Sequence, residues 1–124
     1  MKTLALFPLC LPLAACVTPA SPLPEGPARL GQTVYVDGPT VRPIAVIEDS
    51  RCPTDVVCVW AGRVVIRAEV GTGPGKREMT LTLGEPVPVA DGALILAEVA
   101  PVARHTQPVK PADYRFTFKF AGGL

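Results

Sequence analysis

Tyr114-Arg115-Phe116-Thr117-Phe118-Lys119-Phe120 sets an aromatic ring at every second position and a polar side chain between each pair. A period of two belongs to the β-strand, where successive side chains point to opposite faces. The stretch therefore predicts a strand with four rings on a core and Arg115, Thr117 and Lys119 in water. Upstream, Pro101 to Pro111 is a polar, proline-bearing connection. Before it, Ala93-Leu94-Ile95-Leu96-Ala97 is apolar on both faces. Its shortness and the Asp91-Gly92 turn signal before it favour a central strand, paired in a hairpin with Pro86–Ala90, over a helix.

The same grammar extends toward the N-terminus. From Cys58 to Val70 the chain alternates, with Trp60, Val64, Ile66, Ala68 and Val70 on one face and Val65, Arg67 and Glu69 on the other. Gly71-Thr72-Gly73-Pro74-Gly75 breaks that strand. Met79, Leu81 and Leu83 then return against Glu78, Thr80 and Thr82, which makes a hairpin with a flexible tip. Val34–Val36 and Val41–Ile47 are β-branched segments around Asp37-Gly38-Pro39, another turn signal. Six or seven short strands, regular turns and no helical period predict an all-β domain over residues 30–124. The expected form is a small antiparallel β-sandwich, immunoglobulin-like, or a small barrel. The cysteines do not follow the inter-sheet spacing of antibody domains.

The first thirty residues have another character. Met1-Lys2-Thr3 is a short positive start, and Leu4 to Leu13 is an apolar run too short to span a bilayer. Small residues then precede a cysteine in Leu13-Ala14-Ala15-Cys16. This segment resembles the signal of bacterial lipoproteins. The resemblance implies that residues 1–15 are a signal peptide cleaved before Cys16, and that Cys16 carries lipid chains, palmitate among them. Val17, rather than Asp, follows the cysteine, and in bacteria with two membranes this implies sorting to the periplasmic face of the outer membrane. Residues 16–29 then form the lipidated cysteine and a tether whose prolines favour an extended spacer.

Of four cysteines, Cys10 leaves with the leader and Cys16 takes the lipid. Cys52 and Cys58 remain, an even pair in an oxidising compartment, and the expected outcome is one disulfide closing a short loop. They lie in Ser50-Arg51-Cys52-Pro53, four residues, Cys58, one residue, then Trp60-Ala61-Gly62. This element resembles one that recurs in small bacterial envelope lipoproteins, and Ala112-Asp113-Tyr114-Arg115 resembles the last strand of the same group. The resemblance implies a fold, and supplies no mechanism. Physically, Pro53 fixes φ and Thr54-Asp55 supply turn chemistry. Trp60 is expected to cover the disulfide from the core side, and Gly62 to admit a neighbouring chain. Such a loop either fixes a strand entry or presents Arg51, Pro53, Asp55 and Trp60 to an envelope protein partner. Preorganisation lowers the entropic cost of binding.

Charge is uninformative about partners. Removing residues 1–15 takes away only Lys2, leaving eleven basic against eleven acidic side chains. No basic run interleaved with aromatics points to nucleic acid, and the residues specify no oligomeric state. Soft ligands Cys52, Cys58, His105 and Met79 could hold copper, although five residues between the cysteines is not a recognised ligand spacing. Ser21 and Ser50, with Asp49 and His105, do not assemble into a hydrolytic triad by sequence, and Glu48-Asp49 reads as a solvated turn. Arg51-Cys52-Pro53 on a stapled loop could occupy the cleft of an envelope protease or lysozyme as an inhibitor. The balance favours a non-enzymatic binding or assembly module with no cofactor.

Overall fold

Alternation carries directly into strands. The computed structural model describes residues 5, 8–12, 23–73, 75–104 and 106–122. Its strands are β1 (Val34–Tyr35), β2 (Thr40–Asp49), β3 (Val64–Thr72), β4 (Gly75–Thr82), β5 (Val87–Val89), β6 (Gly92–Ala100) and β7 (Arg115–Ala121). A 3-10 turn, Pro111–Asp113, precedes β7. Strands β1-β2-β3-β4 form one antiparallel sheet and β5-β6-β7 the other, so the domain is the small all-β sandwich the pattern predicts. The four-plus-three division matches an immunoglobulin sandwich, but the connectivity does not. Immunoglobulin sheets interleave their strands through Greek-key connections, whereas each sheet here is a simple meander of sequence neighbours.

The core lies between the two meanders. Tyr114, Phe116 and Phe118 are buried and Phe120 is partly covered, with the Tyr114 and Phe116 rings stacked at 5.5 Å. From the facing sheet, Val64, Ile66, Ala68 and Val70 of β3 and Leu81 of β4 close on them. Central strand β6 contributes Leu94 and Leu96. Its register then slips between Leu96 and Glu98, so that Val99 rather than Glu98 pairs with Phe116 and packs on the core. A bulge of this kind re-aims the side chains that follow it.

Several local expectations shift. Strand β3 begins at Val64, not at Cys58, so Trp60 is not part of its inward face. Val65, expected to face outward, is buried yet stands outside the main core cluster. The β5–β6 turn residues are Ala90 and Asp91, one position earlier than expected, because Val89 pairs with Gly92. Ala90 takes the left-handed conformation at φ 50°. Gly92 remains in the strand, where a Cβ would overlap the Ala121 carbonyl oxygen. Pro43 sits inside β2, beside a register shift, at a point β1 no longer pairs, and its carbonyl accepts the Gly31 N–H at 2.6 Å. Proline is tolerated at just such a position because no ladder donor is missed.

The sandwich has two distinguishable ends. At one, Asp49 pairs with Val64 and Ala100 with Arg115. At the other, Tyr35 pairs with Thr40 and Thr72 with Gly75. Part of the segment read as tether is already docked between them. Ala28 is fully buried and exchanges backbone hydrogen bonds of 2.8 and 2.9 Å with Phe116, and the Pro24 carbonyl accepts the Tyr35 N–H at 3.0 Å. Among the described residues, the chain is thus already bonded to the sandwich at Pro24, six residues before Leu30.

Candidate functional site

The loop from Ser50 to Arg63, joining β2 to β3, carries the sequence-singled residues, and its base is closed by Ser50. The Ser50 N–H donates to the Arg63 carbonyl at 2.8 Å, and the Arg63 N–H donates back to Ser50 Oγ at 3.0 Å. Across the base, Arg63 Nε pairs with Glu48 at 2.7 Å. Gly62 lies against the Ser50 carbonyl so closely that any Cβ there would overlap it, which is the close approach the sequence predicts for this glycine. Above the base, Cys52 and Cys58 are joined in the expected disulfide, with Cα atoms 5.8 Å apart. Thr54 then ties the loop sideways: its N–H and hydroxyl both donate to the Ala103 carbonyl, at 2.9 and 3.3 Å. Three separate constraints therefore fix a loop with no regular secondary structure.

Arg51 turns inward rather than toward a partner. Its Nε and one terminal nitrogen donate to the two Asp49 carboxylate oxygens at 2.9 Å each, a bidentate pair. The other terminal nitrogen donates to the carbonyls of Val99 and Pro101 at 3.1 Å. Tyr114 Oη donates to Asp49 Oδ2 at 2.8 Å. Asp49 is thus the centre of a largely buried brace, not a solvated turn. The Arg51 guanidinium holds its carboxyl below the usual carboxylate range, against burial, with help from the Tyr114 hydroxyl. Burial pushes the Tyr114 phenol up to about 12, and the hydrogen bond to Asp49 adds to the shift. The Arg51 guanidinium is shifted up by the same carboxylate.

What the loop presents outward is apolar. Val57 is 99% exposed, Val59 101% and Trp60 56%, and Val56 and Val102 of the adjoining segment are also exposed. The Trp60 indole N–H donates to the Ser50 carbonyl at 3.1 Å. This holds the ring at the loop's side instead of over the disulfide from the core, as expected from sequence. Pro53 is half-buried and Asp55 exposed. Val57 and Val59 are not among the residues that the sequence singles out, because the alternation from Cys58 predicts a strand there. Of the five residues between the two cysteines, two are valines, Val56 and Val57, and Val59 follows Cys58 directly; a loop so short has no interior to cover them.

The polar groups around the loop are engaged with one another. The disulfide takes both thiols out of the copper ligand set, and among the described residues no three His, Cys, Asp or Glu side chains gather around a cation position. Ser50 Oγ is engaged with Arg63 and Glu48. An open cleft of about 470 Å³ beside the loop is floored by Asp49, Arg51 and Tyr114, whose polar atoms already satisfy one another. Cys16 and His105 lie outside the described residues.

Fold and site together define a small, disulfide-stapled β-sandwich that displays one apolar loop. No protein-family model matches the chain, and no curated protein and no solved structure is significantly similar to it.

Proposed function

We propose that this protein is a lipid-anchored envelope lipoprotein that acts without catalysis, as a binding or assembly module whose contact surface is the Cys52–Cys58 loop. The anchor rests on Leu13-Ala14-Ala15-Cys16, and the outer-membrane location on Val17. The binding role rests on one observation: Val57, Val59 and Trp60 are exposed on a loop that is fixed at its base, across its neck and at its side. Exposed apolar side chains gathered on one loop are a common mark of an interaction surface. A loop already held in place loses little conformational entropy on docking.

Protease inhibition through Arg51 fits less well. A side chain offered to an enzyme pocket has to extend from the loop, and Arg51 is folded back onto Asp49, Val99 and Pro101.

The test is site-specific photo-cross-linking in intact cells, with the probe at Asp55 and a control probe at Thr80 on exposed β4. A discrete protein adduct from Asp55 alone supports the reading. Equal labelling from both positions, or none from either, overturns it.

A further inference from the structure

The described chain enters the sandwich at one end, and the apolar loop leaves from the other. Pro24 is bonded to Tyr35, and Tyr35 pairs with Thr40 at the start of β2. The stapled loop leaves from Asp49 at the finish of β2. Ala28, bonded to Phe116 nearer the loop end, shows that the chain before it runs toward the Tyr35 end. The N-terminal entry and the apolar tip are therefore separated by the length of β2. At about 3.3 Å per residue this is roughly 30 Å, before the loop's own projection is added.

Only eight peptide steps separate Cys16 from Pro24. As a proline-rich extended chain they reach about 25 Å. An inverted domain, with its tip in the bilayer that holds Cys16, would need this segment to turn back at Pro24 and run the full height of the sandwich. Eight steps fall short of that path. Charge argues the same way. Residues 56–62 contain no charged side chain, and the flanking Arg51 and Arg63 are paired with Asp49 and Glu48. Surfaces that settle on anionic lipid do so with clustered Lys and Arg near the headgroups. Head-on pairing of two tips is also disfavoured, because copies anchored in one leaflet point the same way.

We infer that Val57, Val59 and Trp60 form the membrane-distal end of the anchored domain and seat in an uncharged apolar pocket of a protein partner, not in the bilayer that holds Cys16. This rests on the anchored binding-module reading and adds the direction of the tip and the chemistry of what it meets. A convex apolar knob carried on a rigid loop is the complement of a preformed concave site, and aromatic anchors such as Trp60 are the side chains that dominate such contacts.

Trp60 is the only tryptophan of the chain, so its fluorescence reports the tip without labelling. The full lipidated protein is reconstituted into phosphatidylethanolamine–phosphatidylglycerol vesicles with and without spin-labelled lipid. The expected result is no quenching by the labelled lipid and full quenching by aqueous acrylamide. Quenching by lipid overturns the inference, while a binding module directed at membranes would survive it. In intact cells, a diazirine probe at Val57 is expected to give one protein adduct that disappears with Val59→Asp, and a probe at Asp37 is expected not to give it. An adduct at Val57 that persists in Val59→Asp, or that forms equally from Asp37, overturns the inference. A protein adduct from Thr80 with none from Val57 also overturns it, together with the loop as the contact surface, and leaves only a binding module that works through another face. No protein adduct from any position removes both readings.

Discussion

Tyr114 Oη donates to Asp49 Oδ2 at 2.8 Å, and this bond joins the two sheets of the sandwich across 65 residues of sequence. Asp49 ends β2, and Tyr114 stands immediately before β7. The same carboxylate receives the bidentate Arg51, whose remaining nitrogen holds the carbonyls of Val99 and Pro101 at the end of β6. Three chain segments that meet at the stapled end are thus tied to one carboxylate.

We predict that Asp49→Ala destabilises the fold by about 3 kcal/mol, because it leaves a largely buried guanidinium without its counter-charge. Tyr114→Phe, which removes one hydroxyl and keeps the ring, should cost about 1–2 kcal/mol. Urea denaturation of the two variants measures both. Equal and negligible effects would mean that the brace is ornamental to stability.

The same cluster sets the pH limits. The Asp49 carboxyl titrates lower in the folded than in the unfolded chain, so its contribution is complete above about pH 4 and is lost as pH falls through the lowered folded value. The Tyr114 phenol is raised to about 12, so its contribution is complete below about pH 10 and is lost as pH rises from there through about 12. Stability measured against pH should decline in both windows. Tyr114→Phe should flatten the alkaline one, and Asp49→Asn the acid one.

Val57→Asp and Val59→Asp should leave stability within about 0.5 kcal/mol of wild type, since both side chains stand in water already. Cross-linking from the loop should nevertheless fall at least tenfold. A loss of fold in either variant, seen by circular dichroism, would contradict the exposed placement of the tip.

Cys16→Ala should abolish incorporation of labelled palmitate and move the protein from the membrane fraction to an uncleaved or soluble form. One acyl chain gives marginal binding and several give lasting attachment, so loss of the site has no partial outcome. Membrane partitioning identical to wild type would sink the anchor.

Ala90 offers a gain. A residue with a Cβ in the left-handed region costs about 1–2 kcal/mol, and glycine there gives back about 0.4–1 kcal/mol through the unfolded chain. Ala90→Gly should raise stability by about 0.5–1 kcal/mol, read from the midpoint of thermal unfolding. A lower midpoint would mean that the Ala90 turn is not strained.

The all-β sandwich, most of its strands and the Cys52–Cys58 pairing were legible in the sequence for a simple reason. Alternation in Tyr114–Phe120 and Val64–Val70, turn residues between strands, and an even pair of cysteines are local properties, and they act over a few residues. Close approach at Gly62 was legible on the same terms. The direction of Arg51 was not, because the Val99 and Pro101 carbonyls that capture it lie 48 and 50 residues away. Nor was the role of Asp49, which only Arg51 and Tyr114 together lift out of solvent. Sequence pattern determined which residues alternate and hence the class of fold. Tertiary structure alone decided that Val57, Val59 and Trp60 stay outside the core, and that Pro24 enters at the opposite end. Burial and end-to-end placement depend on how two sheets close on each other, and no periodicity along the chain encodes that.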